Sequence, residues 1–117
     1  MMKIEKIRHW CPEAERGLSQ TFGYDRAGLI EGVNAGTLEC YRLWDGQAYL
    51  VTRTERGIVT VCCYQGARAR DMMRWLRARC AHLGIKSIVF YTRHRGLARL
   101  LNEFCPAQEE TVYRIAV

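Results

Sequence analysis

The order of elements legible in this chain predicts an α/β (α+β) fold on a mixed sheet, with an antiparallel meander followed by strand, helix, strand, helix, strand. Three observations carry that expectation. Three β-rich runs arrive at even spacing over residues 37–64, divided by turn chemistry. At Ala69 the apolar spacing becomes helical, and over Ile88, Val89, Phe90 and Tyr91 it becomes a continuous apolar run. A second helical pattern and a final β-rich stretch then complete an alternation that places helices beside a sheet.

Taken in order, residues 3–8 alternate well enough for a first strand, with Ile4 in phase and Ile7 breaking the pattern. Pro12 suits the first turn of a helix that continues through Glu13, Glu15, Leu18 and Phe22 and ends at Gly23. Asp25 is placed to cap a second short helix through Leu29, Ile30 and Val33, closed by Asn34 and Gly36. The meander comprises residues 37–44, 47–54 and 57–64. Asp45-Gly46 makes its first hairpin turn and Glu55-Arg56-Gly57 its second.

Residues 69–83 put Met72, Leu76, Cys80 and Leu83 on one helical stripe and Arg70, Arg74 and Arg77 on another, with Gly84 as the stop. Residues 85–92 read as a central strand buried on both faces. A fourth helix over residues 94–104 carries Leu97, Leu100, Leu101 and Phe104 and stops before Pro106, and residues 111–117 form a last strand.

At 117 residues the chain suits one domain, 1–117, with one core. Its 49% hydrophobic and 26% charged residues are a globular composition without a run long enough to span a membrane. Its first residues carry no apolar signal segment, so a cytoplasmic protein is expected. Of the six cysteines, Cys11, Cys40, Cys62, Cys63, Cys80 and Cys105, only Cys62-Cys63 are close in sequence, and strand neighbours point to opposite faces. Free thiols packed as small hydrophobes are expected, with no metal site. His9, His82 and His94 lack i, i+4 pairing and read as structural or surface residues.

The net charge of +6 is unevenly placed. From Arg68 to Arg99 nine basic residues face one acid, Asp71, a local balance of +8 that leaves −2 for the rest. Such a field attracts phosphates or an acidic surface; the plainer reading is a set of solvated helix faces whose stems cover apolar area. The face proposed for an anionic partner, nucleic acid or an acidic protein surface, comprises Arg70, Arg74, Arg77, Arg93, Arg95 and Arg99.

The element order, together with Met72-Met73-Arg74-Trp75-Leu76-Arg77-Ala78-Arg79-Cys80-Ala81-His82-Leu83-Gly84-Ile85-Lys86-Ser87-Ile88-Val89-Phe90-Tyr91, resembles the third helix and fifth strand of the GNAT (Gcn5-related N-acetyltransferase) superfamily. The resemblance extends over nearly the whole chain. It implies that the turn formed by Gln65, Gly66, Ala67, Arg68, Ala69 and Arg70 would hold the pyrophosphate of acetyl-CoA or another acyl-CoA at a helix N-terminus. The family turn has the pattern Q/R-x-x-G-x-G/A. Here Tyr64 takes the first position, Ala67 the glycine and Ala69 the last small residue; a one-residue shift puts Arg68 on the glycine.

The tyrosine that protonates the departing thiolate in many members is matched by Leu101, leaving Tyr91 and Tyr113 as other donors. Glu39 and Glu55 are the carboxylates available as a general base on the meander. In brevity and missing glycines the chain is similar to GNAT-like proteins of tailed bacteriophages. These departures favour a non-catalytic binding, assembly or accessory protein; the alternative is an active acyl-CoA-dependent N-acetyltransferase.

Overall fold

The structure, a computed structural model, describes residues 3–19, 26–91, 107–109 and 112–117. Its elements are β1 (Ile4–Ile7), α1 (Pro12–Gly17), α2 (Arg26–Ala35), β2 (Glu39–Leu43), β3 (Ala48–Glu55), β4 (Ile58–Gly66), α3 (Ala69–His82), β5 (Ser87–Tyr91), β6 (Ala107–Glu109) and β7 (Val112–Ala116). The strands are hydrogen-bonded in the order β1-β2-β3-β4-β5-β7-β6, a mixed sheet as expected. The chain divides into two compact units, residues 1–53 with 62–67, and residues 54–61 with 68–117.

In the first unit β1, β2 and β3 pair antiparallel, β2 and β3 being the first two runs of the expected meander, with Ile4 opposite Leu43, Cys40 opposite Val51 and Leu43 opposite Ala48. Period-two alternation puts Cys40 and Val51 on one face, where they pack with Ala14 and Leu18 from the α1 region, Leu29 and Val33 from α2, Tyr49 and Cys63. Pro12 occupies the first turn of α1, where its missing N–H is not needed, and Glu13 and Glu15 complement the helix dipole there. The helix stops at Gly17, earlier than the periodicity implied, because the chain turns at Leu18, which is fully buried in the core. The expected stop at Gly23 and the cap at Asp25 lie outside the described residues. At the other end of α2, Gly36 takes φ +81, and the N–H groups of Thr37 and Leu38 both donate to the Gly32 carbonyl.

A polar network ties these elements together. The Arg42 guanidinium on β2 donates to Glu13 of α1 at 2.6 Å and to the Asp45 carbonyl at 2.9 Å, with Glu5 of β1 at 3.7 Å. The Tyr49 hydroxyl, hydrogen-bonded to Glu13, is the main reason the Glu13 carboxyl is held below the ordinary carboxylate range; partial burial opposes this, and Arg42 adds to it. Glu15 is lowered chiefly by its hydrogen bond from Arg26, whose Nε lies 3.0 Å away.

In the second unit β4 runs parallel to β5 from Ile58, opposite Ser87, to Val61, opposite Phe90, and β5 is antiparallel to β7. With a strand on each side, β5 buries Ile88, Val89 and Phe90, which accounts for its unbroken apolar run. On α3, Ala69, Met72, Met73, Leu76 and Cys80 are buried. Leu83, expected on that stripe, is instead 58% exposed, because the helix ends at His82 and Gly84 turns the chain with φ +74. The Ile85 N–H then donates to the Cys80 carbonyl at 2.8 Å, closing the helix end. The short β6 had no expectation behind it, and the helix expected over residues 94–104 lies outside the described residues.

Cys62 and Cys63 do point to opposite faces, so Cys62 is exposed; it and half-buried Cys11 depart from the expectation of buried thiols. Cys40 follows it, and burial pushes its thiol up to about 12. Cys105 lies outside the described residues. Among the described residues no group of His, Cys, Asp and Glu could hold a metal, and no helix is long and apolar enough to cross a membrane.

Gly17 lies against the Tyr49 ring, and a Cβ there would sit 2.6 Å from its Cγ with other ring carbons nearer still. Gly17→Ala is expected to lower the unfolding free energy by about 1–3 kcal/mol, as overpacking does; a urea midpoint equal to that of the parent would contradict the packing. Because Glu13 and Glu15 titrate lower when folded, their stabilisation is complete above about pH 4.3, the unfolded value, and is lost as pH falls through their folded values. Urea midpoints across pH 3–7 should therefore fall on the acid side, and the Glu13→Gln/Glu15→Gln variant should show a flatter acid limb.

Candidate functional site

The turn between β4 and α3 is built from two local constraints. Gly66, the last residue of β4, has φ +128, and a Cβ there would collide with the Gln47 carbonyl oxygen and stand 2.7 Å from the Ala48 Cβ. Only glycine permits that approach. The next residue fastens the contact, the Ala67 N–H donating to the Gln47 carbonyl at 3.1 Å. Tyr64, at the first position of the resembled motif, hydrogen-bonds through its hydroxyl to the Ala67 carbonyl and closes the turn on itself.

Arg68 follows in the left-handed region, φ 65 and ψ 47, as the N-cap of α3 with no side-chain cap bond. The first rung of the helix is the Met72 N–H to the Arg68 carbonyl at 3.0 Å, so the amides of residues 69–71 lead the helix and point along its axis toward the turn. Ala69 is buried, whereas Gly66, Ala67, Arg68 and Arg70 are exposed and Gln65 is half-buried. Asp71, in the first turn of α3, lies 4.0 Å from the Arg68 Nε and 3.2 Å from the Arg74 Nη1. All three side chains are substantially exposed, so these pairs orient the arginines more than they stabilise the fold.

These residues fit a pyrophosphate. Within the second unit the leading amides of α3 favour an anion, and exposed Arg68 and Arg70 flank them with charge. Met72 is 2% exposed and belongs to the core. Arg68 turns outward to Asp71, with 42% of its side chain exposed, so neither residue fills the turn.

The remaining candidates are distributed along the sheet. Glu39 opens β2 opposite Thr52, four residues along the strand from Leu43, or about 13 Å at ordinary strand rise. Its carboxylate accepts a hydrogen bond from the Tyr41 hydroxyl, a contact that the strand period of two made legible. Glu55 is the exposed last residue of β3. Glu39 belongs to the first unit and Glu55 to the second. Tyr91 closes β5 with its backbone opposite Val112, and Tyr113 lies on β7; their side chains are outside the described atoms. Leu101, Arg93, Arg95 and Arg99 also lie outside the described residues. Sequence reasoning missed the anchoring of the turn on Gln47, for which no local signal exists, since the partner is a backbone carbonyl.

No protein-family model matches the sequence, and no curated protein matches it. Solved structures do. An acetyltransferase of Bacillus subtilis in complex with CoA superposes with a TM-score of 0.69 at 14% identity, covering 100% of this chain and 98% of the other. The PaiA N-acetyltransferase of Thermoplasma acidophilum with coenzyme A gives 0.60 at 8% identity, over 99% and 100%. A GNAT-family acetyltransferase of Brucella melitensis with acetyl-CoA gives 0.60 at 13% identity, over 99% and 89%. With full-length coverage in each case, the chain has the fold of the GNAT acetyltransferases.

Proposed function

We propose that this chain binds an acyl-CoA with the pyrophosphate at the β4–α3 turn and serves as a GNAT-type N-acyltransferase. The observation that carries the reading is the start of α3: its leading amides, with exposed Arg68 and Arg70 beside them. Similar folds that hold CoA or acetyl-CoA in their solved structures support it. The sequence alone favoured a non-catalytic role partly because the motif's glycine is replaced, by Ala67 or, with a one-residue shift, by the long side chain of Arg68. Arg68 lies toward Asp71 with 42% of its side chain exposed, which supports the cofactor-binding reading.

When bound, an acyl-CoA would supply an activated thioester. The residues of this chain would then hold the phosphates through amide donors and arginine forks, which match phosphate geometry in pairs. Glu39, with its hydroxyl partner Tyr41, is the half-buried carboxylate on the meander suited to take a proton from an amine.

One observation favours the non-catalytic reading. The Ala67 amide is already engaged by Gln47, and the Asp71 carboxylate already occupies the first turn of α3, so two contacts that an anion would use have internal partners.

Calorimetry with acetyl-CoA, followed by a free-thiol assay in the presence of primary amines, separates the readings. Micromolar binding with amine-dependent thiol release is the expected result. Binding without release would assign a non-catalytic role, and no heat at millimolar acetyl-CoA would overturn the site. Arg68→Asn keeps a residue tolerant of the left-handed region while removing the charge, and it should weaken acetyl-CoA binding about tenfold with stability unchanged or slightly raised. Unchanged affinity would remove Arg68 from the site.

A further inference from the structure

We propose that Tyr41 is a positioning residue, holding the Glu39 carboxylate in the orientation in which it takes a proton from an amine. This role rests on the acyl-CoA reading and adds to it a residue that acts through Glu39. Glu39 and Tyr41 are two residues apart on β2, so the strand period puts both side chains on one face, and the Tyr41 hydroxyl donates to the Glu39 carboxylate. On β3, Thr52 stands opposite Glu39 and Leu50 opposite Tyr41. Opposed residues of an antiparallel pair share a face, so the four side chains belong to one face of the sheet in the first unit.

Burial separates the two partners. Leu50, Thr52 and Tyr41 are buried, whereas Glu39 is half-buried, so the donor comes from a packed ring and the acceptor is the member that solvent and a substrate reach. The backbone under that ring is fixed on both sides, with Lys6 of β1 and Leu50 of β3 opposite Tyr41. A glutamate has three side-chain torsions and samples many directions; one bond from a donor on a fixed strand selects among them. An ionised carboxylate accepts through both oxygens, so the bond to Tyr41 leaves capacity for an incoming amine. The plainer role, in which Glu39 serves only to satisfy a buried hydroxyl, differs in its effect on turnover.

The test is a double-mutant cycle read in turnover, using the free-thiol assay with acetyl-CoA and a primary amine at saturation. Glu39→Gln should lower kcat about a hundredfold or more, the scale of a general base. Tyr41→Phe keeps the ring and should lower kcat about tenfold through misplacement of the base, while KM for the amine, acetyl-CoA affinity and melting temperature stay at the parent values. In the Glu39→Gln background the same change should have no further effect on kcat, because the group that Tyr41 positions is gone. Parent kcat in folded Tyr41→Phe, or a tenfold loss that persists in the Glu39→Gln background, would overturn the proposal. Parent kcat in Glu39→Gln would also overturn it, with the cofactor site left standing. A parent chain that binds no acetyl-CoA overturns the acyl-CoA reading itself, and calorimetry shows that before any variant is compared.

Discussion

The chain's approach of Gly66 to the backbone of Gln47 and Ala48 is the constraint on which the end of β4 depends. A side chain at position 66 would have to occupy space already held by backbone atoms, which cannot yield as a flexible side chain does. The receiving segment is itself fixed. Trp44 and Asp45 hold φ near +55, Gly46 φ +93, and the Asp45 N–H and carbonyl are taken by the Lys3 carbonyl and the Arg42 guanidinium. Consecutive non-glycine residues in the left-handed region cost about 1–2 kcal/mol each, and persist only where the surroundings compensate. The consequence is chemical as well as structural. Ala67, which stands at the glycine position of the resembled motif, has its amide engaged by the Gln47 carbonyl.

How legible the molecule was follows from the range of the forces involved. The meander, α3 and β5 were readable because turn residues and apolar periods are local, and the two hairpin turns fall at Asp45-Gly46 and Arg56-Gly57 as their chemistry requires. Leu83 misled because periodicity continues past the point where Gly84 stops the helix. α1 ended early because Leu18 is drawn into the core, a tertiary demand that overrides helical pattern. At the site, the stripe of Arg70, Arg74 and Arg77 was legible from spacing alone. The closure of Tyr64 on Ala67 and the anchoring on Gln47 were not, because they depend on the backbone path of the turn and, for Gln47, on a residue some twenty positions away.

Arg68 shows how one residue can serve charge at the expense of conformation. Glycine would adopt φ 65 without steric cost, and arginine accepts that cost while placing a guanidinium at the entrance of a helix. No general folding advantage explains the choice, since a cation near a helix N-terminus opposes the macrodipole. Asp71 offsets that penalty, lying near both Arg68 and Arg74 and carrying the sign the dipole favours. The first turn of α3 is thus neutralised internally, by a carboxylate that belongs to the chain.

On the proposed reading, this arrangement would make the affinity of the turn a difference between two anions. A ligand must compete with Asp71 for Arg68 and for the field at the helix end, and a single negative charge gains little by exchanging one exposed carboxylate contact for another. A pyrophosphate carries more charge and several acceptor oxygens, so it can engage the amides and both Arg68 and Arg70 while Asp71 stays with Arg74 at 3.2 Å. On that reading, discrimination against monoanions would follow from the internal carboxylate and would not require a deep pocket. Substituting Asp71 would raise the affinity for every anion at the turn and lower the preference among them, since the competitor that separates weak from strong ligands would be gone.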